Sequence, residues 1–525
     1  MEQRKKTEPV IATFIGALVL LANSWHVITQ WLENPPDRYF TAISHYYADY
    51  FLYISQIAQG IRGNWLSYAS VYTDERLPSM IIYWPNVLLG RIGSIVTNSP
   101  FVLYQAALFA GSVILLFLLW HISSLVFPKR RAVRLIAFLF LTTASNFPTL
   151  GAYLRNGTLT IFGDTWFFPT PALNRFGGVP HQIFQTILLL SVIVLYLRRR
   201  TLFRTVLFPI LCFLAATLAP TQMVLVCFAL VVTALSVRKK HVFLITAIGC
   251  AAAAFGALLV NSTFASSPIL TDARLWELRQ IPPISLSVLF PAMGPIIFFI
   301  PFGVFSYIPS QSLPKRLLLL YGVGAIAVYF SPIPQLLQTA SVRWISPASY
   351  TVFPLLAAEG IWAIRMFFKK FRFTLLILLM LYALFTVPSF IAQVNARTDP
   401  AGAWYLYGNL NHVPQSAIQA FRMINRGKES GVVLTDSSLP YDILIPVFTD
   451  KISFTGHILY TLGDAGKEQL RTRFFFGAMS ENEAKQFLSA HRIRYILAPA
   501  NSSIASFYPF LRLLYTNNSL SVYAN

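Results

Sequence analysis

The sequence is poor in cysteine, in acidic residues and in charge of either sign. It has three cysteines, 20 acidic residues among 525, and a charged fraction of 12%. The cysteines all lie in apolar stretches and show no paired spacing, which excludes an external disulfide framework and a zinc site of the paired-cysteine kind. Soluble proteins carry about 25% charged residues, so the scarcity of charge also excludes an ordinary soluble fold.

The chain is instead rich in apolar residues. They make up 55% of the chain, and the mean hydropathy is +0.58, as in a polytopic membrane protein. The net charge is +21, but the basic residues occur in short runs between apolar spans, at every second loop. These runs are Arg4–Lys6, Lys129–Arg134, Arg198–Arg204, Arg238–Lys240, Lys315–Arg316 and Arg365–Arg372. The pattern follows the positive-inside rule and argues against a nucleic-acid surface, which would gather its basic residues on one domain.

The hydropathy pattern predicts an all-α polytopic membrane domain over residues 1–396. A hydrocarbon core needs roughly 20 apolar residues per helix, and with the basic runs in the cytoplasm about eleven transmembrane helices fit. We predict them at 10–31, 99–125, 134–150, 181–197, 204–220, 221–237, 241–260, 284–308, 317–332, 346–366 and 374–391. The first is a retained signal anchor, the N-terminus is cytoplasmic and the C-terminus is extracytoplasmic.

One helix pair and four loops matter most in this topology. Within 204–237, Ala219-Pro220-Thr221 is either a tight external turn or a kink, and a kink would invert everything downstream. The basic runs favour the turn. The polar external loops are then 32–98, 151–180, 261–283 and 333–345, and the short apolar stretch 80–96 within the first is expected to be an interfacial helix.

Residues 397–525 have the composition of a soluble domain. A helix is predicted from Pro414 to Gly427 and another from the capping box of Ser480 and Glu483 to about residue 490. Strands are predicted at 431–435, 451–454, 495–498 and 519–523. Alternating strands and helices indicate a small α/β domain, extracytoplasmic in this topology.

Three external stretches carry candidate functional residues. Ser44–Trp65 reads SHYYADYFLYISQIAQGIRGNW and holds a lone acid, Asp49, among aromatic residues. A carboxylate is costly next to a bilayer, which makes Asp49 a functional candidate. The second stretch, ALNRFGGVPHQ, carries Arg175 and His181, and the third, SVRWISP, carries Arg343.

In their order and topology these stretches resemble the GT-C superfamily of membrane glycosyltransferases, the group that includes protein mannosyltransferases and aminoarabinose transferases. The C-terminal stretch FFFGAMSENEAKQFLSAHRIRYIL is similar to uncharacterised bacterial members. The resemblance implies an inverting glycosyltransferase of the bacterial inner membrane. It would move a sugar from a polyprenyl-phosphate donor to a glycan, lipid or protein acceptor on the external face.

The resemblance also implies roles for individual residues. Asp49 would be the general base, and Arg175, His181 and Arg343 would bind the donor phosphate. Glu75, in VYTDERL, would be a second acid that orients the acceptor or binds a divalent cation; the need for a metal stays open. One base is sufficient in principle because a phosphate leaves as a stable anion. Each residue also has a purely structural interpretation. Asp49 would be a solvated acid at a helix start, Glu75 a loop charge, and the basic residues cations at the level of the lipid headgroups.

Glu359 supports a different interpretation. It is the one acid well inside a predicted span, where acids usually face protein or a cavity. It either supports helix packing beside Gly360 or serves a proton-coupled transporter or flippase of a lipid-linked or small polar substrate. A third interpretation is a scaffold that uses its C-terminal domain for protein contacts, in which Asp49 would tolerate replacement by Asn.

Overall fold

The computed structural model forms two compact units. It describes residues 3–65, 71–149, 153–155, 157, 159–162, 170–177, 179–198, 201–237, 239–279, 285–308, 310, 312–398, 410–427 and 430–525. Unit 1 comprises Met1–His26, Leu108–Asn261 and Trp276–Thr398, and unit 2 comprises Val27–Ala107, Ser262–Leu275 and Asp399–Asn525. Unit 2 therefore contains most of the first predicted loop as well as the C-terminal region. The predicted division after residue 396 into membrane and extracytoplasmic domains stays a prediction.

Most described residues are helical. Up to residue 398 the helices are α1 (Gln3–Leu32), α2 (Tyr47–Ile61), α3 (Trp84–Gly93), α4 (Pro100–Val126), α5 (Arg131–Thr143), α6 (Ala172–Phe176), α7 (Pro180–Leu197), α8 (Leu202–Leu218), α9 (Pro220–Val237), α10 (Lys240–Ser266), α11 (Pro268–Arg279), α12 (Leu286–Met293), α13 (Ile300–Tyr307), α14 (Leu313–Tyr329), α15 (Ile333–Leu336), α16 (Pro347–Tyr350), α17 (Val352–Phe367) and α18 (Thr374–Thr398). Two 3₁₀ turns, Gly294–Phe298 and Ser341–Trp344, lie between them. The C-terminal helices are α19 (Gln415–Arg426), α20 (Ile445–Phe448), α21 (Asp464–Phe475), α22 (Glu481–Ala490) and α23 (Ile504–Phe507), with a 3₁₀ turn at Asp442–Leu444.

Among the described residues, six helices are long and apolar enough to cross a membrane. They are Thr7–Leu32, Pro100–Val126, Pro180–Leu197, Pro220–Val237, Lys240–Ser266 and Thr374–Thr398. A seventh crossing is possible if Leu286–Phe298 and Ile300–Tyr307, which meet at a bend of 69°, form one broken span. The other predicted spans coincide with helices of 13 to 17 residues, namely α5, α8, α14 and α17. The structure thus confirms a multi-pass helical chain and leaves the number eleven as a prediction.

The structure resolves the ambiguity at Ala219 in favour of a turn. α8 ends at Leu218 and α9 begins at Pro220, whose missing N–H is tolerated at a first helical position. Tyr196 of α7 contacts both helices: its ring lies 6.0 Å from that of Phe208 on α8, and its hydroxyl donates to the backbone oxygen of Leu230 on α9 at 3.4 Å. A continuous helix would place residues 22 positions apart about 33 Å from each other, so the two helices must run back alongside each other.

Several basic runs meet at one end of unit 1. Arg134 forms an ion pair with Glu8 near the start of α1, with 2.7 Å between nitrogen and oxygen. Arg130 and Lys315 both bind Glu359, and Arg198 contacts His121 at 3.1 Å. The loops between α4 and α5 and between α13 and α14 therefore share an end with the start of α1. The runs at 4–6, 199–200 and 238 lie outside the described side chains.

Glycines allow α13 and α17 to pack with their backbones in contact. A Cβ on Gly303 would lie 1.9 Å from the carbonyl oxygen of Leu356, and one on Gly360 would lie 1.9 Å from that of Phe299. No side chain fits in such a gap, so the small residues permit the close approach. Glu359 thus lies where two helices are packed as tightly as backbones allow.

The C-terminal part of unit 2 is a mixed sheet with helices, as the sequence predicted. Its strands are β3 (Val432–Thr435), β4 (Ile452–Ser453), β5 (Ile493–Pro499), β6 (Arg512–Thr516) and β7 (Leu520–Ala524), in the order β4-β3-β5-β7-β6. β3 runs parallel to β4 and β5, whereas β7 is antiparallel to β5 and β6. The capping box of Ser480 and Glu483 opens α22 as expected. Helix α21 and strand β6 were not predicted from the sequence.

A strand pair joins the first loop to the rest of unit 2, and a helix pair packs within that loop. Strand β1 (Arg38–Phe40) pairs antiparallel with β2 (His412–Pro414), so Pro414 ends a strand and caps α19 instead of opening it. Helix α3 has only 10 residues, too short to cross a bilayer, in agreement with the predicted interfacial helix. It packs on α2 through Gly60 and Gly90, where a Cβ would lie 2.0 Å from a backbone oxygen of the other helix.

Candidate active site

Asp49 lies in the first turn of α2, where the helix dipole favours a negative charge. The residues that follow it, from Tyr50 to Gly60, are all buried, which fixes the helix by packing. The Asp49 side chain itself remains 29% exposed. A rigid helix start therefore presents a carboxylate that solvent or a ligand can reach.

His457, from the loop between β4 and α21, binds this carboxylate. Its Nε2 lies 3.1 Å from the Oδ1 of Asp49, and its side chain is only 2% exposed. The backbone N–H of Leu459 donates to the Nδ1 of the same ring at 3.1 Å. Because Nδ1 accepts a hydrogen bond, the proton of the neutral ring is on Nε2, and that N–H donates to Asp49. Asp49 thus has a neutral donor as its partner.

Aromatic rings surround this pair on both sides. The His457 ring meets Tyr460 edge-on at a centroid distance of 4.9 Å and lies 6.4 Å from the fully buried Tyr72. One turn along α2, Tyr53 is stacked with His45 at 5.6 Å. These rings immobilise the polar groups and give the surroundings of Asp49 a largely apolar wall.

A second polar cluster lies in the same unit, around the acids Asp74 and Glu75. Lys467 on α21 approaches Asp74 at 2.5 Å and Glu75 at 2.7 Å, and it also donates to the hydroxyl of Thr73 at 2.8 Å. His491 contacts the other oxygen of Asp74 at 2.7 Å. Glu75, predicted to be a second acid that orients the acceptor or binds a divalent cation, has Lys467 and Thr73 as partners.

Asp74 is the more buried acid of the cluster. Burial alone would raise its pKa, but the hydrogen bonds from Lys467 and His491 outweigh that effect and hold the pKa below its usual value. Asp74 is therefore ionised at neutral pH and serves as an anchor for Lys467. Sequence reasoning assigned the second acidic position to Glu75, and the structure adds Asp74 to it.

Arg175 belongs to unit 1, where it is buried and bonded to carbonyl groups. It donates to the backbone oxygens of Thr170 at 2.7 Å, Ala144 at 2.8 Å and Leu141 at 3.2 Å, and its guanidinium lies 5.0 Å from the ring centre of Tyr350. These carbonyls include those left unpaired at the end of α5. The geometry supports a structural role, and the predicted phosphate contact stays a prediction.

His181 and Arg343 also belong to unit 1. His181 is buried in the first turn of α7. Arg343, which is 44% exposed, forms a two-pronged ion pair with Glu277 of α11, at 2.7 Å from Nε and 2.9 Å from an Nη nitrogen. A guanidinium that holds a carboxylate in this way has the geometry that also suits a phosphate. Arg343 is thus the most exposed of the three predicted phosphate ligands.

Glu359 is held by two cations instead of facing an open path. Its oxygens lie 2.7 Å from Arg130 and 3.2 Å from Lys315, and the hydroxyl of Ser306 donates at 3.1 Å. Both cations come from the basic runs predicted to be cytoplasmic. The two cations offset the cost of burying this acid.

The chemistry of the second acid does not favour a metal at Glu75. In the part of the chain that the structure describes, no three His, Cys, Asp or Glu side chains are grouped closely enough to hold a metal ion. The ammonium of Lys467 also lies against the Glu75 carboxylate, and it would repel a divalent cation.

Sequence reasoning found Asp49 but missed its partner. His457 is a single histidine in FTGHILYTLG, and only the fold shows that it reaches a residue 408 positions earlier in the chain. Lys467 and His491 were missed for the same reason. The only sequence signal was that His457 follows a predicted strand in a glycine-containing loop.

Comparison with known proteins gives a likeness at the level of fold. No protein-family model and no curated protein sequence matches this chain. Among solved structures, the oligosaccharyltransferase of Archaeoglobus fulgidus in its apo form matches with a TM-score of 0.54 and 12% identity, over 98% of this chain and 74% of that one. The same protein, AglB, bound to an inhibitory peptide and a dolichol-phosphate matches with a TM-score of 0.53 and 12% identity, over 99% and 74%.

A third structure of that oligosaccharyltransferase, in complex with Zn and sulfate, matches with a TM-score of 0.52 and 14% identity, over 97% of this chain and 73% of that one. At such identities the likeness concerns the fold, which covers almost the whole of this chain. The predicted architecture, a multi-pass helical region followed by a C-terminal sheet region, is thereby confirmed at its coarser level. In that protein the fold accommodates a divalent cation and a lipid phosphate.

Proposed function

We propose that this protein is a membrane glycosyltransferase that moves a sugar from a polyprenyl-phosphate donor to an acceptor, with inversion at the anomeric carbon. The observation that carries the proposal is the geometry of Asp49, a partly exposed carboxylate at a rigid helix start that accepts a hydrogen bond from His457. The sequence resemblance to GT-C enzymes and the fold shared with an oligosaccharyltransferase both support it.

The reaction needs one base. A hydroxyl or amide of the acceptor attacks the anomeric carbon, the bond from that carbon to the phosphate oxygen breaks, and the lipid phosphate leaves with the electron pair. The proton of the acceptor passes to the carboxylate of Asp49. The N–H of His457 holds the carboxylate in one orientation, and because the ring is neutral it does not compensate the negative charge that makes Asp49 a base.

The donor phosphate would be bound by Arg343, Arg175 and His181, and Glu75 would help to orient the acceptor. These assignments follow the sequence resemblance. Arg343 has the best support from geometry, since it is half-exposed and already holds a carboxylate with two nitrogens. Arg175 is buried among backbone carbonyls, so we expect its replacement to affect folding first.

The proposal also includes the location of the protein and its topology in the membrane. Eleven crossings, with the N-terminus in the cytoplasm and the C-terminal sheet region outside, would put the basic runs on the cytoplasmic side of a bacterial inner membrane. The contacts of Glu8, Arg130 and Lys315 at one end of unit 1 agree with this arrangement. The lipid donor, the acceptor and the bilayer are then the partners of the protein.

Sugar transfer by isolated membranes tests the proposal. Membranes containing the wild type receive a set of radiolabelled polyprenyl-phosphate sugars, and label is followed into acceptors. We expect transfer by the wild type and a loss of about 100-fold or more in Asp49→Asn, the usual size of a general-base contribution. Asp37→Asn, in the same loop and 76% exposed, is the matched control and should transfer normally. Equal transfer by Asp49→Asn would remove the base from this position.

A further inference from the structure

The loop that carries His457 is attached to both acidic positions of the first-loop region. At one end His457 donates to Asp49. At the other, Lys467 forms ion pairs with Asp74 and Glu75. The stretch 454–467, here called the bridging segment, thus contacts every first-loop acid in the predicted site, and it belongs to the C-terminal region of the chain.

The orientation of His457 is set within the bridging segment itself. The N–H of Leu459 donates to the ring at 3.1 Å, and the N–H of Tyr460 donates to the backbone oxygen of His457 at 2.8 Å. Gly456 lies flat against Tyr72, where a Cβ would come 2.6 Å from the ring. The imidazole therefore has one tautomer and one position, with no freedom to turn away from Asp49.

Hydrogen bonds and ion pairs also fix the middle and the C-terminal end of the bridging segment. The N–H of Leu462 donates to the hydroxyl of Thr73 at 3.3 Å, the hydroxyl that also accepts from Lys467. Lys467 is buried, and its ammonium lies 5.3 Å from the ring centre of Phe454 at the start of the segment. A buried cation with two carboxylate partners is costly to separate from them.

We infer that His457 is a positioning residue for Asp49, so that the C-terminal region completes the catalytic apparatus. The inference rests on the proposed function. Loss of the Nε2–H donor would remove a contact that orients the carboxylate and would slow the step in which Asp49 accepts the proton. Binding of donor and acceptor would change little.

Two amide replacements separate this role from a merely structural one. In His457→Gln the side-chain amide reaches the place of Nε2 and can still donate to Asp49, while the bond from Leu459 is lost. In His457→Asn the amide oxygen takes the place of Nδ1 and can still accept from Leu459, while the donor to Asp49 is lost. We expect kcat to fall about 10- to 100-fold in His457→Asn, the equivalent of one hydrogen bond to a charged group, with KM values nearly unchanged.

His457→Gln is expected to keep most of the wild-type kcat, which is the conservative rescue that a structural role does not predict. Equal losses in both variants, or better activity in His457→Asn, would overturn the inference while leaving the proposed function intact. A loss expressed only in KM would overturn it as well.

The contact can also be tested without any activity. Thermal unfolding of purified wild type, Asp49→Ala, His457→Ala and the double variant forms a double-mutant cycle. We expect the double variant to lose less melting temperature than the sum of the two single losses. Additive losses would overturn the pairing of the two residues. If the wild type transfers none of the sugars offered, the proposed function fails on its donor, and the cycle still decides whether His457 holds Asp49.

Discussion

Asp49 in unit 2 and Glu359 in unit 1 are both acids with defined partners, and the difference between them separates a reactive group from a structural one. Glu359 is 6% exposed and is bound by two cations and a serine hydroxyl. Asp49 is 29% exposed, and its histidine partner donates from a neutral ring. Of the two acids, Asp49 is the one whose carboxylate a substrate can reach.

Burying a carboxylate costs free energy, and the partners of Glu359 and Asp49 differ in how they offset that cost. Two cations offset the desolvation of Glu359, and the ion pairs link α17 to Arg130 before α5 and to Lys315 in the first turn of α14. Asp49 is partly exposed and is bound by a neutral donor, a combination suited to proton transfer. The interpretation of the chain as a transporter depends on Glu359, whose partners are Arg130, Lys315 and Ser306.

The largest effect on stability is expected at Glu359. Glu359→Gln removes the charge but keeps the shape, which leaves Arg130 and Lys315 without compensation. Breaking a buried pair costs about 3–5 kcal/mol, and because Arg130 is about one-third exposed we expect the lower figure. Asp49→Asn should cost at most about 1 kcal/mol, since one hydrogen bond is weakened. Thermal unfolding in detergent measures both, and equal losses would contradict the contrast.

A smaller effect is expected at Arg343. Arg343→Gln removes the two-pronged donor and should raise the KM for the lipid donor about tenfold, the equivalent of one charge-assisted contact, with kcat nearly unchanged. Arg279→Gln, an exposed arginine on the same helix as Glu277, is the control and should leave KM alone. Steady-state kinetics at varied concentrations of the lipid donor measure both constants. A fall in kcat at constant KM would contradict a role in phosphate binding.

The smallest effect is a dependence of stability on pH that comes from Asp74. Its pKa is lowered in the folded protein, so its ion pair stabilises the fold above the usual aspartate value of about 3.9 and is lost as the pH falls below that value. Melting temperatures from pH 7 to pH 3 should therefore drop less steeply in Asp74→Asn than in the wild type. Parallel curves would show that Asp74 contributes nothing to acid sensitivity.

Much of the fold could be predicted from local sequence signals. Long apolar runs, the turn at Pro220 and the capping box of Ser480 depend on residues close in sequence, and each appears where it was expected. Short helices such as α5 were predicted at too great a length, because apolar composition continues past the point where Ala144 leaves the helix. Helix α21 was missed because its sequence, DAGKEQLRTRFF, has little apolar periodicity.

Only part of the candidate site could be predicted from the sequence. Asp49 stands out because an acid is rare in such surroundings, a signal that one stretch of sequence contains. His457 has only a weak local signal and Lys467 has none, since their roles arise from contacts across about 400 residues. For Arg175 the sequence suggested a phosphate ligand, which stays a prediction, but it did not reveal that the side chain binds helix-end carbonyls.

The most direct test of the account measures sugar transfer by Asp49→Asn and Glu359→Gln in the same membranes, per amount of folded protein, with labelled polyprenyl-phosphate sugars. The account predicts that Glu359→Gln transfers sugar close to the wild-type rate once its lower stability is allowed for, whereas Asp49→Asn loses about 100-fold or more. Full transfer by Asp49→Asn would contradict it. So would label that crosses the membrane only when Glu359 is intact, which would identify a transporter.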